Sequence, residues 1–200
     1  IKNRDTAAGS QGWPVWHSAV PTSSRYLDST NPWDATEFSY VFNNTAPDSN
    51  VVTVGANSAV SSGNRFRSYG NGDDFIMYCW HSVPGLQKFG KYTANNDANG
   101  PYIELGFRPA LVVCKSTTQG QPWQVYDAAR SSTNPTNRGM QWNNSGVEYN
   151  TTDRIDILSN GFKVRAGGGT EPNVGTNTYI YMAWAEAPSI NLYGAQSNAR

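Results

Sequence analysis

The stretch "NTYIYMAWAE", residues 177–186, decides the fold, and "DDFIMYCWHS", residues 73–82, sharpens the question it raises. Both run through a polar pair, an aromatic, Ile, a Met/Tyr pair, a small residue and Trp. Each has a proline two residues further on, Pro188 and Pro84. Successive side chains of a β-strand point to opposite faces. Tyr179, Tyr181, Ala183 and Ala185 then share one face, and Ile180, Met182 and Trp184 the other. Both faces are apolar, so the segment reads as a central strand covered on each side, as in a β-sandwich. If 73–82 is the same strand written again, the chain holds two related units.

Working outward, "GWPVWHSAV" (12–20) parallels "PWQVYDAAR" (122–130), and "IKNRDTAAGSQG" parallels "VCKSTTQGQ" as a strand end running into a Gly/Gln turn. The expected organisation is a first β unit over 1–87, a second over 88–188 and a C-terminal tail over 189–200. Since "IKNRD" reads as the end of a strand, a longer parent chain is expected. Its residues before Ile1 should carry a run like Gly106–Cys114.

Composition narrows the functional classes. Charge is balanced, with 15 basic and 15 acidic residues, and charged residues make up only 15% of the chain. No Lys/Arg run exceeds two residues, so no phosphate-binding face is expected and no nucleic-acid partner. The longest apolar runs fall well short of the ~20 residues a membrane helix needs, so no membrane insertion is expected. In place of charge stand 7 Trp, 11 Tyr and 19 Gly. That mixture suits short strands joined by turns. Cys79 and Cys114 are the two cysteines. Cys79 occupies the place of Ala183 in the likeness, so a buried free thiol is expected there and not a disulfide.

Strands are read near 13–20, 38–43, 51–55, 75–82, 102–106, 110–116, 123–128, 161–166 and 179–186, separated by Gly-, Asn-, Pro- and Ser-rich segments. No dozen residues shows a helical period. The expected fold is all-β: two tandem, related, sandwich-like units of antiparallel sheets with long Gly/Asn/Pro-rich loops.

The run "GFRPALVVCKS…WQVYDAARSSTNP…DILSNGFKVR…YIYMAWAEAP" resembles a repeat domain of uncharacterised function from virion proteins of marine tailed phages, the cyanophage and pelagiphage tail-fibre-like proteins. The resemblance covers nearly the whole chain and is closest from Phe75 onward. It implies a location on the virion, in a tail fibre or other surface appendage. It further implies a homo-oligomer, a trimer, with other virion proteins as partners. His17, standing where the second unit has Asp127, departs from the pattern.

Aromatic faces stack on sugar rings, and amide side chains hydrogen-bond hydroxyls. Trp33 in "TNPWDAT" and Trp142 in "MQWNNSG" are flanked by turn formers. With Tyr149, Asn143 and Asn144 they are the candidate contacts to a host cell-surface glycan. Trp80, Trp123 and Trp184 are expected in the core. A glycoside hydrolase needs two facing carboxyls. Asp127, Glu148, Asp153, Asp156 and Glu186 are available but form no motif, so a non-enzymatic protein without cofactor or metal is expected, hydrolysis being the minor reading. Asp127 is expected to cap a turn. "NNDANG" (95–100) imitates half a calcium loop, yet Gly106 stands where the bidentate Glu belongs, and a turn explains it better. The expected role is host-surface contact by a virion appendage. A purely structural spacer and a carbohydrate-binding module of a secreted bacterial protein are the alternatives.

Overall fold

The computed structural model describes residues 1–4, 12–55, 74–150 and 152–187. The expected tail over 189–200 lies outside them. The architecture is mostly β, with several antiparallel sheets, none closed into a barrel, and one short helix among the described residues. The chain divides into two compact units, Ile1–Cys79 and Trp80–Arg200.

In the first unit, β1 (Lys2–Asn3) pairs antiparallel with β4 (Phe75–Ile76), and β2 (Pro14–Trp16) with β3 (Ser24–Tyr26). Between them in the chain lies α1 (Ala35–Phe42), where the alternation Phe38, Tyr40, Phe42 predicts a strand. The helix wins because Phe38, Val41 and Phe42 stand at i, i+3 and i+4 and are buried together. The Asp34 side chain also accepts from the Thr36 and Glu37 amides at 2.6 and 3.3 Å, capping the free N–H groups of the first turn. Tyr26, Phe38, Val41 and Phe42 form the core of this unit, with Ile1, Trp16, Val52 and Phe75 against it. The strand expected over 51–55 does not form.

The second unit is a two-layer sandwich. One layer is five-stranded, in the order β5 (Gln87–Thr93), β12 (Thr178–Ala185), β7 (Pro109–Ser116), β8 (Gln124–Asp127) and β9 (Met140–Gln141). The other is three-stranded, β10 (Ile155–Leu158), β11 (Gly161–Val164) and β6 (Tyr102–Glu104). Tyr92, Val112, Cys114, Tyr126, Tyr179 and Tyr181 of the larger sheet meet Ile103, Ile155, Ile157, Phe162 and Val164 of the smaller one in a single core. Its aromatic centre is ordered. Tyr92 and Tyr179 stack with ring centroids 5.2 Å apart, and Phe162 meets Tyr181 edge-on at 5.7 Å. The Tyr181 ring lies over Gly90, where an added Cβ would sit 2.6 Å from its hydroxyl. The other face of the sheet is buried as well: Val113, Val125, Ile180 and Met182 are 9% exposed or less. The central strand is thus covered on both sides, as its sequence predicts.

Its apparent copy does not share that environment. Only Phe75 and Ile76 of the 75–82 stretch are strand, while Met77, Tyr78 and Trp80 are exposed. Cys79 is an exposed free thiol and Cys114 a buried one. The expectations of a second closing strand, of a core Trp80 and of a buried Cys79 are therefore corrected. A strand needs ladder partners along its length, and this one finds two residues. The structure adds β5, which reads as linker because it carries Lys88 and Lys91. Those lysines suit an outer edge strand, where charge discourages pairing with another chain.

Candidate functional site

Four of the five candidate contacts come together on one hairpin of the second unit. Strand β9 is the edge of the larger sheet, paired with β8 through Gln124–Gln141 and Val125–Met140. Beyond it the chain returns so that Gly139 and Tyr149 exchange backbone hydrogen bonds of 3.2 Å. Gly139 is needed there, since a Cβ would sit 2.2 Å from the Tyr149 hydroxyl. That hydroxyl donates to Gln124 Oε1 at 2.7 Å, and the Arg154 guanidinium lies 4.7 Å from the ring centroid. Burial pushes the Tyr149 phenol up to about 12.

The amides hold the turn. Asn143 Oδ1 accepts from the Trp123 amide at 2.9 Å, and Asn144 Oδ1 from the Gly146 amide at 2.7 Å. Asn144 Nδ2 donates to Gln141 Oε1 at 2.8 Å, and the Trp142 amide to the Trp123 carbonyl at 3.1 Å. Glu148, from the same hairpin, pairs with Arg130 and Arg138. What this hairpin leaves exposed is Trp142, at 42%, along with Met140 and Val147. So of the predicted contacts, Trp142 offers its ring, whereas Asn143, Asn144 and Tyr149 position it.

Trp33 belongs to the first unit and is buried, 9% exposed. It directly precedes the helix cap Asp34, a position where apolar side chains are commonly buried against the first turns of a helix. Its place among the candidate glycan contacts is corrected on its burial. Trp123 is fully buried, as expected.

The carboxylates are dispersed. Asp127 caps its own turn, accepting from the Ala129 and Arg130 amides at 2.8 and 3.3 Å. Glu186 pairs with Arg108 at 2.7 Å and Asp156 with Arg165 at 3.5 Å. One acidic group lies outside every reading of the sequence. Glu171 is buried, its Oε1 accepts from the Tyr179 hydroxyl at 3.0 Å, and its Oε2 has no hydrogen-bond partner among the described residues. Burial pushes this carboxyl up to about 7, against the Tyr179 bond and the Lys115 and Arg154 charges that pull it down.

Two residues on, Asn173 ties the loops at this end of the sandwich. Fully buried, it accepts from the Asn95 amide at 2.9 Å and donates to Asn95 Oδ1, Asp97 O and Ala166 O at 2.7–2.9 Å. In "NNDANG", Asn95 Oδ1 accepts from the Asp97 amide and Asp97 Oδ1 from the Asn99 amide, so the segment is a self-bonded turn. Beside it opens a groove of about 560 Å³ lined by residues 96–98, 152–153, 165 and 167–168. Sequence reasoning misses it because its walls come from three distant loops without a motif.

The second unit is thus an antiparallel β-sandwich with an edge hairpin that exposes one aromatic ring and a polar groove at one end. The chain belongs to the family described as a domain of unknown function, DUF7483, whose model matches residues 1–188. No curated protein and no solved structure matches it.

Proposed function

We propose that the chain is a non-enzymatic module of a phage virion appendage, in the C-terminal part of a tail-fibre-like protein, that contacts a glycan of the host surface. The observation that carries the reading is Trp142: an aromatic side chain left open to water on a hairpin whose turn is held by the Asn143 and Asn144 side chains. A ring carried on a held backbone is a stacking platform with little main-chain freedom left to lose on binding. Few charges elsewhere suit a neutral polar ligand. Contacts of this kind are weak singly, and copies arrayed on a homo-oligomer, a trimer in this reading, raise avidity by orders of magnitude. The resemblance to marine tailed-phage repeat domains supports the location on a virion.

The test is binding of the purified chain to host cells and to glycans extracted from them. Trp142→Ala should weaken binding about 2- to 12-fold per site, corresponding to a ring contact of roughly 0.5–1.5 kcal/mol. Binding unchanged by Trp142→Ala overturns the site, and release of reducing sugar overturns the non-enzymatic assignment. A second reading, a structural spacer without ligand, is favoured by the burial of Trp33. It predicts no binding to any host extract.

A further inference from the structure

We infer that the groove at the end of the second unit's sandwich is a second sugar subsite, selective for glycan units without an anionic group. The inference rests on the glycan reading for its ligand class and on the groove's own chemistry for the rest.

The groove is built before any ligand arrives. Asn96, at φ 58°, turns its Oδ1 to the Gly169 and Gly175 amides at 2.8 and 3.4 Å, and Gly168 and Gly169 adopt φ of 63° and 82°. The glycine run is needed at two levels. Positive φ strains other residues, and a Cβ on Gly167 would meet the Ala98 amide nitrogen at 2.8 Å. Asn173, bonded to the 95–97 and 166 segments from beneath, fixes two of the three walls before binding. A volume of about 560 Å³ lies within the range of small-ligand pockets, roughly 300–1,000 Å³.

The lining then sets the ligand. The Asp153 carboxylate and the Thr152 hydroxyl have no hydrogen-bond partner among the described residues, and Asp97 uses Oδ1 on its own turn, leaving Oδ2. The carboxylate oxygens accept, and the Thr152 hydroxyl can both donate and accept. Arg165 spends Nε on Asp156 and keeps its outer nitrogens, while the Asn96 amide nitrogen adds a second donor. Donors and acceptors thus line one groove. A hydroxyl both donates and accepts, so adjacent hydroxyls of a sugar ring can bridge carboxylate to guanidinium or amide. Charge discriminates: two carboxylates, Asp97 and Asp153, face one guanidinium already paired with Asp156. A uronic or sialic acid would bring a third negative charge into that field.

The test is NMR titration of the isotope-labelled chain with the methyl glycosides of glucose, galactose and mannose, and with methyl glucuronide. At least one neutral glycoside should shift amides of 96–98, 152–153 and 165–168, and the glucuronide should leave them in place. Asp153→Ala, an exposed position, should weaken that response at least fivefold while the amide spectrum of 178–185 stays unchanged. Trp142→Ala should leave it intact. No groove response to any neutral glycoside overturns the subsite, as does equal response to the glucuronide. A response at Trp142 without one at the groove overturns this inference and spares the glycan reading. Silence at both places overturns both.

Discussion

Residues 75–82 and 179–186 carry nearly the same order of side chains and meet opposite fates. Ile180 is 1% exposed and Ile76 37%, while Met182 is 9% exposed and Tyr78 56%. The difference lies in the neighbours. Strand β12 has antiparallel partners on both sides along almost its whole length, β5 from Trp184 to Thr178 and β7 from Tyr179 onward. Among the described residues, the earlier stretch pairs only at Phe75 and Ile76, with Asn3 and Lys2. Apolar pattern states which faces a strand could bury. Ladder partners and a facing layer decide whether it does.

The sharpest way to break that comparison is one substitution made twice. Ile180→Ala removes a fully buried side chain and should cost about 2–5 kcal/mol of stability. Ile76→Ala, in a two-residue ladder and partly exposed, should cost under about 1 kcal/mol. Denaturant unfolding of the two variants measures both, and equal losses would mean that the stretches are equivalent after all.

The next largest effect separates the aromatic that opens each stretch. Tyr179 has a hydroxyl where Phe75 has none, and that hydroxyl ends on buried Glu171. Glu171 has its folded-state value raised to about 7 from an ordinary 4.5. Between those values the folded chain keeps a proton that the unfolded chain gives up, so stability falls as pH rises through the window. At about 1.4 kcal/mol per pH unit the fall is on the order of 3 kcal/mol. Urea unfolding at pH 5 and pH 8 should show the loss. Glu171→Gln should remove most of it and stabilise the chain at the higher pH, whereas an unchanged slope would assign the dependence to other groups.

How far the fold could be read depended on the element. Tyr179–Ala185 of β12 and Pro109–Cys114 of β7 are apolar on both faces, and the strands stand where they are expected. In "ATEFSYVF" the alternation of Phe38, Tyr40 and Phe42 obscured the helical spacing of Phe38, Val41 and Phe42. The Asp34–Glu37 spacing was the signal that could have found it. Met140–Gln141 is too short to show a period at all. Among the site residues, Trp142 was legible from the turn formers around it. The same argument failed for Trp33, because its turn formers include a helix cap. The groove was not legible: Asn96, Asp153 and Arg165 belong to separate loops, and Asn173, which ties two of those loops, is one more asparagine in an asparagine-rich chain.

Amide hydrogen exchange tests most directly whether partners, and not pattern, make the central strand. The amides of Ile180–Trp184 should exchange only with global opening of the second unit, and those of Met77–Trp80 far faster, as expected outside a ladder. Comparable protection of Met77–Trp80 would contradict it.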